Sequence, residues 1–369
     1  MIPHRWSLAH NYLAGITAGE WWRLLRENRF DVDVEYLHRV MFVTVASLVN
    51  SWWRRREEGR YGGVIDGVEV PAPLIIVGHW RSGTTHLHNL LSLDREQFAY
   101  PSTYEVVNPH TFLLTEERHA KWFKWMVPPR RPMDNMALSF ELPQEDEFAP
   151  CLMSLRSLYL GVSFPRREEY YERYLTFAGA EAEGDEWGRA LVRFVKKLTM
   201  KHGLPLLLKS PPHTARIRRL LGMFPGARFV HIHRDPCEVY QSFRRYYDTA
   251  VWHTYLQRPD RGAVEGRILS RYRVMHDAWF GERDLIPAGR LHEVRFADLE
   301  RDPVGEVGRI YEALGLEGYG RVEPVVRAYA EEQRGYRRNE YGELGEEERV
   351  KVVRAWERNF DIWGYPKGL

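Results

Sequence analysis

Residues 74–91 constrain the fold more tightly than any other stretch of the chain. Leu74-Ile75-Ile76-Val77 is a short apolar run, Gly78 to Gly83 is a turn bounded by glycines, and Leu87, Leu90 and Leu91 then recur at helical spacing. A strand, a tight loop and a helix start in that order gather loop amides and the positive end of a helix dipole around one point. Such a point holds an anion of phosphate size.

Gly78 and Gly83 keep the G-x-x-x-x-G spacing of a phosphate-binding P-loop, but Thr84 stands where a nucleoside triphosphatase carries lysine. That lysine and its magnesium partners serve the γ-phosphoryl group of ATP. A sulfuryl group carries less charge, and amides, hydroxyls and one nearby cation suffice for it. Two further segments share the strand-then-polar-turn pattern. Residues 227–242 run from Phe229-Val230-His231-Ile232-His233 into Arg234-Asp235-Pro236, with Ser242 eight residues beyond Arg234. Asp235 suits a helix N-cap and Pro236 a first helical turn, and a guanidinium grips a phosphate with two bonds. Leu206-Leu207-Leu208 ends in Lys209, before Ser210-Pro211-Pro212-His213. Lysine is scarce here: only eight of the 53 basic residues are lysine, the rest arginine.

In content and order these three segments resemble the sulfotransferases that use 3′-phosphoadenosine 5′-phosphosulfate (PAPS). The resemblance is clear over residues 72–300 and looser beyond. It is strongest to the bacterial arginine-loop branch, together with the tyrosylprotein sulfotransferases. The cytosolic steroid and phenol enzymes carry lysine where Arg81 stands, usually after proline; here His79 and Trp80 precede it. The resemblance implies an α/β protein: a three-layer, P-loop-like fold with a central parallel sheet flanked by helices, plus helical N- and C-terminal extensions. It implies transfer of a sulfuryl group from PAPS to a hydroxyl on a lipid, glycan or small alcohol, with release of 3′-phosphoadenosine 5′-phosphate (PAP) and no metal. By the same resemblance Arg81, Ser82, Gly83, Thr84 and Thr85 hold the 5′-phosphosulfate, and Arg234 and Ser242 the 3′-phosphate. Lys209 and Arg81 stabilise the charge that grows on the leaving phosphate. Arg337 and Arg338 belong to a basic loop that closes over the nucleotide.

Transfer to a hydroxyl needs a proton acceptor. The K-x-H segment that supplies it in the phenol enzymes is not evident. In the arginine-loop branch a glutamate follows the first helix, and Glu105 is the best match, at a slightly longer spacing from Arg81. Glu145, in the acidic run Glu141-Leu142-Pro143-Gln144-Glu145-Asp146-Glu147, is the second candidate.

Metal chemistry finds little support. His86 and His88 diverge on a helix, and His231 and His233 share a strand face but lack further ligands, so packing or hydrogen bonding is expected of the strand pair. Net charge of +2 gives no global attraction for nucleic acid. Two cysteines, Cys151 and Cys237, fit a reducing cytoplasm rather than a disulfide scaffold. No secretory signal is visible, and the uncharged stretch Val40–Trp53 is too short to span a bilayer.

Residues 1–70 read as a helical, Trp-rich N-terminal extension, and 71–369 as one α/β sulfotransferase domain, the whole a single globular unit. Gly62-Gly63-Val64-Ile65-Asp66-Gly67-Val68 reads as a turn or hairpin before the first strand. Strands are expected at 74–77, 204–208, 228–232 and 291–296, alternating with helices, which means βαβ units and a parallel sheet. Arg81, Lys209 and Arg234 then converge at the carboxyl ends of strands, where such sheets bind ligands. The insert at about 100–200 is rich in aromatics, either core or the wall of an acceptor pocket. Tyr36–Val49, running into Trp52-Trp53-Arg54-Arg55-Arg56, is simplest as a helix packed on the core or in a homodimer; at a membrane interface it gives a peripheral protein and suits a lipid-like acceptor. Two rivals stand beside the sulfotransferase reading: an ATP-using P-loop kinase, and a non-catalytic nucleotide-binding protein on the same fold.

Overall fold

The four apolar runs form four strands: β1 Leu74–Val77, β2 Leu207–Lys209, β3 Arg228–His233 and β4 Leu291–Arg295. In this computed structural model the described residues are 6–8, 11–119, 141–249, 253–333 and 344–368. The strands pair in the order β2-β1-β3-β4, all parallel. Leu74 aligns with Leu207 and Arg228, and Ile76 with Lys209 and Val230. All residues of β1 are buried, as expected of a strand covered on both faces.

Side chains alternate across the sheet. On one face Leu74, Ile76, Val230, Ile232 and Val294 pack with Leu87 and Leu90 of the helix Thr84–Leu91 and with Val307 and Ile310 of Pro303–Ala313. The latter helix starts with a carboxylate cap and proline: Asp302 accepts from the Gly305 amide at 2.9 Å, and Pro303 fills the first position. On the other face the His231 ring stacks on Trp279 of Val264–Glu282, at 4.2 Å between centroids, and His233 on Trp363 of Glu346–Trp363, at 4.7 Å. His231 Nδ1 also meets Glu293 at 3.0 Å and His233 Nδ1 the Tyr365 hydroxyl at 2.9 Å. Helices on both faces make the three-layer α/β architecture.

Contacts divide the chain into two compact units, Met1–Pro71 with Pro101–Leu204 and Asp248–Arg261, and Ala72–Tyr100 with Pro205–Tyr247 and Gly262–Leu369. The sheet lies in the second. The N-terminal helices thus share a unit with most of the insert. Ion pairs explain the grouping. Lys197, on the helix Glu181–His202, meets Glu57 at 2.5 Å, and Arg193 on the same helix meets Glu58 at 2.6 Å and Asp66 at 2.9 Å. Residues 62–66 are not a hairpin but the end of the 30-residue helix Leu37–Asp66. In the insert Tyr159, Phe164, Tyr171 and Tyr174 are buried, so they serve as core; Trp122, Phe123 and Trp125 lie outside the described residues.

Candidate active site

The turn after β1 is shaped by two close approaches. At Gly78 (φ +146°) a Cβ would come within 2.4 Å of the Ile232 carbonyl oxygen, and at Gly83 (φ +100°) within 2.2 Å of the Phe296 ring. Only glycine fits either place. Arg81 itself adopts φ +71°, a left-handed conformation costing a non-glycine residue about 1–2 kcal/mol. Strain of this kind persists where surrounding structure fixes it. Here the Ser82 amide donates to the His79 carbonyl at 3.1 Å and the Ser82 hydroxyl to the same oxygen at 2.7 Å. The Gly78 amide donates to the Thr214 hydroxyl at 2.7 Å, fastening the loop to the segment that follows Lys209. Helix Thr84–Leu91 begins directly after the turn, and its first-turn amides have no acceptor within the helix.

Two of the expected cations of this unit stand at strand ends, and Arg81 lies in the turn after β1. Lys209 is the last residue of β2, paired in register with Ile76, and is 1% exposed. Arg234 directly follows β3. Its Nε donates to Glu238 at 2.6 Å, its Nη1 to the Arg81 carbonyl at 3.3 Å, and its guanidinium lies 4.6 Å from the Phe296 ring centroid. Arg81 Nε donates to the Ser242 hydroxyl at 2.8 Å. Ser242 sits on the helix Pro236–Thr249, where Asp235 accepts from the Cys237 and Glu238 amides at 2.8 and 3.2 Å. The loop and the Arg234–Ser242 pair thus form one connected edge. Sequence reasoning missed three members of it. Glu238 was readable from its i, i+4 spacing to Arg234. Phe296 and Thr214 are brought in by chain folding and leave no local signal.

His79, in the loop, is 1% exposed. Burial pushes its pKa down to about 3, so the ring is neutral, packed against Trp80, Phe243 and Tyr272.

The two expected proton acceptors belong to the other unit. Glu105 is enclosed, with no exposed surface. It closes a capping box at Thr103–Val107, accepting from the Ser102 amide at 2.7 Å while its own amide donates to the Ser102 hydroxyl at 3.3 Å. Lys201 Nζ and His202 Nε2 meet its other oxygen at 2.7 and 2.8 Å. Burial alone would raise its pKa; these partners overcome that and hold it down at about 2. A carboxylate held so low is a weak proton acceptor at neutral pH. Glu145 is partly open and accepts from the Tyr159 hydroxyl. Arg337 and Arg338 lie outside the described residues. Among the described residues no group of three His, Cys, Asp or Glu side chains is placed to hold a metal ion.

The parallel sheet with helices on both faces and a glycine-bounded turn after β1 make a P-loop-like α/β fold. The chain belongs to the sulfotransferase family, whose profile matches residues 73–320. It is 38% identical over 357 residues to the omega-hydroxy-beta-dihydromenaquinone-9 sulfotransferases of Mycobacterium bovis and Mycobacterium tuberculosis, covering 96% of this chain and 91% of theirs. Its fold is similar to those of a sulfotransferase from Mycobacterium avium (TM-score 0.63, 19% identity, 94% of this chain and 96% of that one) and one from Mycobacterium tuberculosis H37Rv (TM-score 0.58, 16% identity, 92% and 90%).

Proposed function

We propose that this protein transfers the sulfuryl group of PAPS to the hydroxyl of a lipid-like acceptor of the ω-hydroxylated menaquinone type, releasing PAP. The observation that carries the PAPS reading is the edge at which Arg81, Arg234 and Ser242 are linked and Lys209 closes β2. The acceptor class rests on the 38% identity, over nearly the whole chain, to enzymes named for such a substrate. Thr84 in the lysine position and the family assignment leave the ATP-using reading without support.

In this reading the acceptor oxygen attacks sulfur as the bond from sulfur to the bridging phosphate oxygen breaks. Loop amides with Thr84 and Thr85 hold the 5′ end. Ser82 braces the loop by donating to the His79 carbonyl and reaches the 5′ end by turning its hydroxyl proton from that oxygen to the anion. Lys209 and Arg81 meet the charge that appears on the leaving phosphate, where a preset cation is worth most. Arg234 and Ser242 take the 3′-phosphate, for which Arg234 exchanges Glu238. Arg337 and Arg338 are carried as further 3′-phosphate contacts. No metal enters the scheme. The acceptor proton goes to a carboxylate, and we assign it to Glu145 rather than Glu105, whose oxygens are engaged by Ser102, Lys201 and His202. Glu145→Gln should therefore lower kcat by about 10²-fold or more, and Glu105→Gln much less; the reverse ranking returns the role to Glu105.

The direct test is calorimetric titration with PAP, AMP and Mg·ATP on wild type and Arg234→Ala, followed by transfer from labelled PAPS to an ω-hydroxylated menaquinone, a glycan and a small alcohol. PAP binding without magnesium that weakens in the variant supports the cosubstrate reading. Binding of Mg·ATP alone, or of none of the three, overturns it. Binding without transfer to any acceptor supports a non-catalytic protein instead.

A further inference from the structure

The helix Leu37–Asp66 buries polar and charged side chains beside apolar ones. Its buried residues include Arg39, Ser47 and Glu57. Arg39 donates to the Tyr255 carbonyl at 2.8 Å, and Asn50 to the Ala14 and Ile16 carbonyls at 2.7 and 3.0 Å. Glu57 pairs with Lys197, and Ser51 accepts from the Ala18 amide at 2.8 Å. Rotating the helix would break all of these, and a buried charge left unpaired costs far more than an exposed apolar side chain.

The consequence is an outward apolar stripe. Leu37, Met41, Val45, Leu48, Val49 and Trp52 follow helical spacing, and each exposes between 46% and 70% of its surface. Sixteen residues of helix extend about 24 Å. Scattered exposed apolar residues are ordinary; a continuous stripe marks an interaction surface. No helix among the described residues is long and apolar enough to cross a membrane.

Charge selects the occupant. One turn beyond Trp52 the same face continues as Arg55 and Arg56, with the Arg56 guanidinium 3.6 Å from the Trp52 ring centroid. Arg60 follows a turn later. Bordering acids do not cancel these charges: Glu58 is held by Arg193, Asp31 by Arg166 at 2.7 Å, and Glu35 by Arg258 at 2.8 Å. A second copy of the chain would bring the same arginines and no unpaired acid from this border to meet them. An anionic bilayer supplies hydrocarbon for the stripe and phosphate for the arginines.

We propose that this face docks on an anionic lipid surface, with the helix lying in the interface plane. The inference does not rest on the PAPS reading and is tested without nucleotide or acceptor. Wild type is sedimented with vesicles of phosphatidylcholine alone and of phosphatidylcholine mixed with phosphatidylglycerol, at low and high salt. It is compared with Met41→Gln/Val45→Gln/Leu48→Gln and with Arg55→Gln/Arg60→Gln, each checked for an unchanged melting temperature. The expected result is at least tenfold stronger partition onto the anionic vesicles at low salt. The apolar variant should lose at least tenfold of it, and the arginine variant should lose the dependence on lipid charge. Failure of wild type to bind, equal binding by the apolar variant, or a concentration-dependent dimer that this variant dissolves while vesicles are ignored would overturn the proposal. Should the apolar variant unfold, quenching of wild-type tryptophan fluorescence by brominated acyl chains decides: no quenching overturns it.

Discussion

The carboxyl edge of the parallel sheet and the long N-terminal helix both set arginines beside apolar runs, and they use them in opposite ways. At the sheet edge the apolar residues are enclosed on both faces, and the chain leaves each strand with its cation at one common border: Lys209 closes β2 and Arg234 follows β3. In the helix Leu37–Asp66 the charged residues Arg39 and Glu57 are the enclosed ones, and the apolar stripe faces out. Strand order delivers groups to an edge whatever the neighbouring side chains are. A helix can present either side, and its buried partners decide which. Charge at the strand ends should therefore matter to chemistry, and the charges enclosed within the helical unit to stability.

Lys209→Ala is the strongest way to break this contrast. It should lower kcat by about 10²–10³-fold, the size of losing one group that meets developing charge, with PAP affinity nearly unchanged. An equal loss in PAP binding would make Lys209 a ground-state contact. Next, Arg234→Ala should weaken PAP by about 10–100-fold, as expected for a charged hydrogen bond of about 1.5–3 kcal/mol, and leave AMP binding alone. Glu238→Gln sharpens the same point in the other direction: with its carboxylate gone Arg234 loses a competing anion, and PAP should bind a few-fold tighter by titration.

In the helical unit Glu105→Gln should cost about 2 kcal/mol of stability, because Lys201 and His202 lose a buried acceptor; a denaturant midpoint unchanged from wild type would show the enclosure to be idle. Acidity gives the broadest effect. His79 and His233 are held down to about 3 by burial, and the unfolded chain takes these protons near pH 6.5. Between about 6.5 and 3 the unfolded state binds more protons, so stability declines as pH falls through that window. Glu105 adds to the decline lower down. Its folded pKa of about 2 lies below the ordinary 4.5, so the stability it contributes is present above about 4.5 and drains as pH falls towards 2. A melting temperature flat from pH 7 to pH 4 would contradict the histidine contribution, and one flat from about pH 4.5 to pH 2.5 the Glu105 contribution.

Much of the sheet was legible in the sequence because its determinants are local. Four short apolar runs at βαβ spacing admit only a parallel sheet, and residues that end those runs must stand at its carboxyl edge. The glycines at 78 and 83 announced a tight turn for the same reason. Gly62 and Gly63 misled, because packing against the helix Glu181–His202 carries helical structure through a stretch whose own propensity favours a turn.

By itself the sequence determined the order of strands and turns, the phosphate-sized loop, and the placing of Lys209 and Arg234 at strand ends and of Arg81 in the turn after β1. Only tertiary structure decided that Phe296 and Thr214 support the loop, that Glu105 is closed in by Lys201 and His202, that the N-terminal helices share a unit with the insert, and that the helix Leu37–Asp66 shows its apolar side to solvent. Local pattern fixes dihedrals and edges. Which face is covered, and which charge is neutralised, depends on partners far away in the chain.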